Sequence, residues 1–203
     1  ILHAILSAAL SVALAISASR ALARQNFKGR EVLISILSAP FILPVIVAIS
    51  GVLFIFGREG VFNQFLGSLG QETVSIYGLS GILLVHVFFN LPLAIRILLF
   101  GWGAIPIEHH RVARGLKLNA WTRFKIIELP MLVSRVPAAT AIIFVICLSS
   151  FAVALLLGGG PRATTVELAI YQAFRFDFDI AKAGQLALVQ TCFAAVAIII
   201  SFA

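Results

Sequence analysis

Five long runs of uncharged, mostly apolar residues dominate the chain. They extend over residues 1–19, 32–56, 77–95, 136–161 and 183–203. A helix needs about 20 apolar residues to cross the hydrocarbon core of a bilayer, and each run approaches or exceeds that length. We therefore predict an all-α membrane protein, a single transmembrane domain over residues 1–203. The five predicted spans lie at about 1–19, 32–56, 77–100, 132–157 and 183–203.

The composition excludes an ordinary soluble domain. Hydrophobic residues make up 61% of the chain, against about 45–50% in soluble domains. The first run has no cationic start, so it is read as a spanning helix and not as a signal peptide. Both ends lie in apolar segments, and we expect a piece of a longer protein. Pro40, Pro44 and Pro92 predict bends in the second and third spans.

The charges separate into two groups of loops. The loops after the first and third runs carry eleven cations and three acids, whereas the other two loops carry four cations and five acids. Short loops rich in Lys and Arg stay cytoplasmic. This asymmetry predicts a multi-pass membrane protein, in contact with lipid, with both basic loops in the cytoplasm. It also accounts for the net charge of +7 without nucleic-acid binding.

The longest basic loop, residues 101–130, combines cations with aromatic residues. Pro106 suits a first helical position, and Asn119 suits the N-cap of a second short helix through Trp121 and Phe124. Pro130 then precedes the next span. The pattern predicts a helix-turn-helix element at the membrane surface, although a solvated positive loop has the same composition.

This loop resembles the EAA loop of ABC importer permeases. The pattern there is Glu-Ala-Ala, three residues, Gly, nine residues, Ile, one residue and Leu-Pro. With Leu-Pro placed on Leu129 and Pro130, the pattern's Ile, Gly, second Ala and Glu fall on Ile127, Lys117, Ala113 and Arg111.

Charged residues replace two positions of that pattern. Arg111 replaces the Glu and Lys117 replaces the Gly, so a close glycine approach is not expected at this point. Gly115, two residues earlier, offers flexibility in a different register.

Two longer stretches carry a wider resemblance. GILLVHVFFNLPLA at 81–94 and LGGGPRATTVELAIYQAF at 157–174 are similar to the first permease half of bacterial thiamine ABC importers. The resemblance implies the type I importer permease fold and half of a pathway for thiamine or its phosphates. It further implies a periplasmic binding protein, a dimer of ATP-binding subunits, and a second permease half expected in the same polypeptide. Import of ferric iron, a polyamine or an oxyanion is the alternative.

The energy source is expected in a partner. The sequence has no G-x-x-x-x-G-K-[ST] phosphate loop, so we expect ATP to be bound by a separate subunit, with no cofactor or enzymatic activity in this chain. Aromatic and Arg side chains anchor many interfaces. The residues expected to couple to the ATPase are Arg111, Ala113, Arg114, Gly115, Lys117, Asn119, Trp121 and Phe124. For the cations, membrane topology alone is the competing explanation.

Polar residues within the spans are few. His86 and Asn90 share a helix face, where they predict either interhelical hydrogen bonds or a wall of the solute path. A membrane enzyme would need a convergent catalytic set, which these spans do not supply. The histidines and the two cysteines have no metal-ligand spacing, so no metal site is predicted.

The fourth loop is acidic and aromatic. Tyr171, Asp177 and Asp179 predict either an aromatic belt at the membrane interface or an outer mouth that attracts a cationic aromatic solute. Thr164 and Glu167 have capping-box spacing. Gly158 to Gly160, before Pro161, predict a flexible helix end or part of an outer gate.

Overall fold

The described part of the protein is helical. The computed structural model describes residues 1–37, 39–41, 43–158 and 164–202, and no strand occurs among them. The helices are α1 Leu2–Arg24, α2 Arg30–Ile36, α3 Val45–Phe56, α4 Val61–Ser68, α5 Leu79–Gly103, α6 Ile107–Gly115, α7 Ala120–Arg123, α8 Leu129–Leu148, α9 Phe151–Leu157, α10 Val166–Arg175 and α11 Ile180–Phe202.

Five helical segments in the described ranges are long and apolar enough to cross a membrane. They are Leu2–Arg24, Val45–Ser68, Leu79–Gly103, Ala120–Leu148 and Ile180–Ser201. The predicted all-α fold with five spans is confirmed.

The predicted second and fourth spans are each divided. α2 ends at Ile36, and α3 begins only after Pro44, which has no amide hydrogen to continue a helix. α8 ends at Leu148 and the short α9 follows it. By contrast, α5 continues through Pro92. A proline in a membrane helix is tolerated when neighbouring groups satisfy the freed carbonyl.

The core lies where α1, α5 and α8 meet. Small residues of α1, including Ala4, Ala8 and Ala15, are buried there against Leu98 of α5 and Ile143 of α8. Small side chains let the backbones of membrane helices approach closely, and dispersion contacts replace the hydrophobic effect as the source of stability. The predicted coupling loop, residues 101–130, connects α5 to α8 at one end of this core.

The loop predicted at 101–130 is largely helical. Pro106 is the N-cap of α6 and not its first residue. α7 leads into a π-helical turn, Phe124–Glu128, in which the Leu129 amide donates to the Phe124 carbonyl. α8 follows without a break, because Pro130 lies in its first turn, where proline is tolerated. The predicted second short helix is therefore the beginning of the fourth span.

Candidate functional site

A buried carboxylate joins α1 to the start of α8. Glu128 is 0% exposed, and its Oε2 atom accepts a hydrogen bond of 2.7 Å from Arg20 Nε. Arg24 forms an ion pair with the other carboxylate oxygen. Both arginines lie in the last turns of α1, 108 residues before Glu128 in the case of Arg20. From the sequence, these three residues were expected only to contribute charge to the loops.

An aromatic stack extends from this ion pair to the surface. The guanidinium of Arg20 lies over the Phe124 ring, 5.2 Å from its centroid. Phe124 stacks in turn on Trp121, with ring centroids 5.7 Å apart and an interplanar angle of 22°. Trp121 is 71% exposed. Trp121 is therefore connected to α1 through Phe124 and Arg20, and a partner that contacts Trp121 touches the exposed end of this connection.

The turn between α6 and α7 is fixed by two capping arrangements. Asn119 is the N-cap of α7, and its side-chain oxygen accepts a hydrogen bond of 2.7 Å from the Thr122 amide, which confirms the predicted cap. At the end of α6, the Leu118 amide donates to the Ala113 carbonyl and the Lys117 amide donates to the Arg114 carbonyl. This pair of hydrogen bonds is a Schellman motif.

Lys117 occupies the position in that motif where glycine is usual. Its φ is 49°, in the left-handed region that favours glycine. Gly115, to which the sequence analysis gave the flexibility, is the last residue of α6, and a Cβ added there would meet no atom within 4 Å. The strained position therefore coincides with the Gly of the EAA pattern, not with Gly115.

The remaining predicted coupling residues differ in exposure. Arg111 is exposed on α6, whereas Ala113 is buried beneath the turn. Arg114 faces a cavity that also contacts the end of α1 and His110. Burial lowers the pKa of His110 below its ordinary value, and the nearby cations Arg123 and Arg24 lower it further. A strong positive potential thus surrounds this part of the loop.

His86 and Asn90 take part in a buried polar network. His86 Nδ1 is hydrogen-bonded to the Ser7 hydroxyl at 3.0 Å, and Asn90 Nδ2 donates to the His86 carbonyl and to Cys147 Sγ. His3 donates from Nε2 to the Cys147 carbonyl, and its ring lies 5.6 Å from that of His86. The predicted interhelical hydrogen bonds are present and join α1, α5 and α8.

The same two residues also line a cavity. It has a volume of about 280 Å³ and is bounded mainly by apolar and aromatic groups such as Phe89 and Ile146, with Ser150 as a further polar group. His86 Nε2 is buried and has no hydrogen-bond partner among the described residues. Since Nδ1 is held by Ser7, Nε2 is the ring atom that remains for a further hydrogen bond.

At the opposite end, the predicted outer-mouth residues have local partners. Tyr171 packs on Phe151 and Phe176, with ring centroids 5.0 and 5.8 Å apart. Asp177 forms an exposed ion pair of 3.3 Å with Lys182. Asp179 accepts a hydrogen bond from the Lys182 amide in the first turn of α11.

The predicted capping box in this region is off by one residue. Thr165 is the N-cap of α10, and its hydroxyl accepts from the Leu168 amide. Glu167 instead accepts a hydrogen bond from Gln190 of α11. Of the glycine segment, residues 159–161 lie outside the described ranges.

Comparisons with known proteins agree on one family. The profile of the binding-protein-dependent transport system inner membrane component matches residues 11–203. The thiamine transport system permease protein ThiP of Escherichia coli (strain K12) is 50% identical over 189 residues, which cover 93% of this chain and 35% of that protein. The protein of the same name from Salmonella typhimurium is 48% identical over the same shares.

A solved structure shares the fold. The crystal structure of a bacterial alginate ABC transporter, in complex with its alginate pentasaccharide-bound periplasmic protein, matches with a TM-score of 0.81 at 16% identity. The match covers 99% of this chain and 75% of that one. The predicted importer-permease fold is therefore confirmed. The chain spans about a third of the length of the curated relatives it matches.

Proposed function

Because this chain belongs to the family of binding-protein-dependent transport system inner membrane components, we propose that it forms half of the translocation pathway of a thiamine ABC importer. It is a multi-pass inner-membrane protein and a transport component, not an enzyme. The observation that carries the choice of solute is the 50% identity to a thiamine permease across 93% of the chain.

The basic end is proposed to face the cytoplasm and to dock on the ATPase subunit. Its exposed surface carries apolar groups, Val112, Leu116 and Trp121, beside the cation Arg111. This combination suits a protein interface better than it suits contact with water. The resemblance of this loop to the EAA loop supports the same assignment, and the left-handed φ of Lys117 fits the glycine of that pattern.

The buried ion pair gives docking a mechanical consequence. A partner that shifts Trp121 acts on Phe124, on Arg20 and, through Glu128, on both α1 and α8. A transporter alternates between an inward-facing and an outward-facing state. Its energy source can drive this change only if it binds the two states with different affinities. A rigid contact between the docking surface and two core helices can supply that difference.

The cavity beside His86 and Asn90 is proposed as part of the solute path. None of the described residues that line it is acidic, and an unpaired cation at membrane depth is costly. A cationic solute such as thiamine should therefore pass this wall without binding tightly. Selection of the solute is then left to the periplasmic binding protein, with the second permease half completing the path.

Uptake of labelled thiamine tests this function. The full-length gene should restore uptake in a strain that lacks its own permease, and excess ferric iron, putrescine or sulfate should not compete. Trp121→Ala should lower uptake and uncouple ATP hydrolysis. Phe54→Ala is the matched control, because Phe54 is also 71% exposed but lies in α3. Restored uptake of one of the competitors, with none of thiamine, would refute the proposed solute.

A further inference from the structure

A second cavity lies at the basic end, away from the proposed solute path. Its volume is about 550 Å³, and it is bounded by the end of α1, by α6 and by α7. The polar side chains that line it are Arg24, Asn26, His110, Arg114 and Arg123. Among the described residues, Ala23 and Ile107 complete the wall.

The positive charges around this cavity exceed the negative ones. Glu128 is already shared by Arg20 and Arg24. Arg114 and Arg123 form no ion pair within the described part of the chain, and Arg123 Nε is buried without a hydrogen-bond partner there. A guanidinium N–H that is removed from water and left unpaired is unfavourable. The arrangement is thus incomplete without an acceptor.

The titration of His110 is consistent with the same surplus. Its pKa is lowered by burial first and then by the charges of Arg123, Arg24 and Arg114, all of which line the cavity. The positive charges of these three arginines therefore act on the same cavity, although the residues belong to different helices.

We propose that this cavity binds a phosphate group that carries two negative charges, held by Arg114 and Arg123 with Arg24 and Asn26 at its edge. Guanidinium groups match phosphate oxygens in paired, charge-assisted hydrogen bonds. Two arginines without a carboxylate partner balance a dianion, whereas a single carboxylate would leave one of them uncompensated. The phosphate can belong to a soluble diphosphate or to the headgroup of phosphatidic acid.

Occupation of the cavity has a consequence for the coupling loop. The ligand would bridge α1, α6 and α7 and so hold the loop against the helix that Glu128 also anchors. Phosphate binding would then oppose movement of the loop and slow the transport cycle. The inference does not depend on the identity of the transported solute, so its failure would leave the proposed function standing.

The first test measures diphosphate binding. Full-length permease, assembled with its ATPase subunits in neutral phosphatidylcholine nanodiscs, is titrated with inorganic diphosphate in the absence of nucleotide. Replacing either Arg114 or Arg123 by Gln should weaken binding at least tenfold, since a hydrogen bond to a charged group contributes about 1.5–3 kcal/mol. Lys125→Gln should change it less than twofold, because this exposed cation of the same loop does not line the cavity.

A second arm identifies the source of the phosphate. In nanodiscs that contain phosphatidic acid, native mass spectrometry should show a retained phosphatidic acid that the Arg114→Gln/Arg123→Gln variant loses, if the lipid is the ligand. Binding of diphosphate without lipid retention would assign a soluble ligand. The proposal is overturned if neither probe binds in a manner that depends on these arginines. It is equally overturned if a cysteine at Asn26 cross-links to an acidic ATPase segment that fills the cavity.

Discussion

Removal of the two arginines that hold Glu128 should destabilise the protein more than removal of Glu128 itself. The Glu128 side chain is 1% exposed, whereas those of Arg20 and Arg24 are 34% and 35% exposed. In Arg20→Gln/Arg24→Gln the carboxylate stays buried without a compensating charge, which costs about 3–5 kcal/mol. In Glu128→Gln the two guanidinium groups can turn towards water, and the expected cost is about 1–2 kcal/mol.

The triple variant separates this explanation from a simple loss of contacts. When Glu128→Gln is added to Arg20→Gln/Arg24→Gln, the buried charge disappears and part of the stability should return. The coupling free energy between the two sites should then be about 2 kcal/mol or more in favour of the triple variant. If the ion pair contributed only contacts, these would already be lost in the double arginine variant, and the third substitution would leave the free energy of unfolding unchanged.

Unfolding of the full-length protein in mixed micelles, titrated with sodium dodecyl sulfate, gives the required free energies. Arg135→Gln serves as the control, because this arginine is also at the basic end but lies over the Phe100 ring at 5.8 Å and forms no ion pair among the described residues. It should change the free energy of unfolding by less than about 1 kcal/mol. Equal destabilisation by Glu128→Gln and by the double arginine variant would refute the assigned burial.

Three further outcomes concern the loop between α5 and α8. Lys117→Gly should stabilise the protein by about 0.5–1 kcal/mol, because the residue has a φ of 49°; in the same micelle titration, an equal gain from Lys117→Ala would contradict this. Asn119→Ala should destabilise the protein by about 1 kcal/mol, because the hydrogen bond that caps the Thr122 amide is lost. Asn119→Asp should keep the stability of the unchanged protein, because its side chain can still cap the helix. The pKa of His110 is lower in the folded protein than its ordinary value of 6.5. The contribution of His110 to the free energy of unfolding should therefore be greatest above pH 6.5 and should fall as the pH drops below that value. His110→Gln should reduce this pH dependence.

Features that depend on neighbouring residues could be predicted from the sequence. The number of spans follows from apolar run length, and the cap at Asn119 follows from a polar residue placed directly before a helix-forming segment. Errors at this level were local. Pro106 precedes the first helical residue by one position, and Thr165 caps in place of Thr164. Such shifts decide which side chain caps a helix, but they leave the element in place.

Contacts between distant segments could not be predicted in the same way. Glu128 lies in the loop 101–130 with five cations, and nothing in its neighbourhood selects Arg20, 108 residues earlier, as its partner. The bond between Ser7 and His86 spans 79 residues and depends on which faces of α1 and α5 meet. Helical periodicity places His86 and Asn90 on one face, but it does not identify the helix opposite them.

Charged and polar groups are arranged differently at the two ends of the helix bundle. At the proposed solute path, His86 is fixed through Nδ1 and the described residues that line the cavity include no acid, so we expect a passing cation to gain little binding energy there. Weak binding is useful in a path, because a solute held tightly in one state would resist the change to the other. At the basic end, by contrast, Glu128 is held by two arginines and fixes the loop to α1 and α8. The proposed coupling requires such a rigid attachment, since only a loop that moves with the core can change the access of the proposed path.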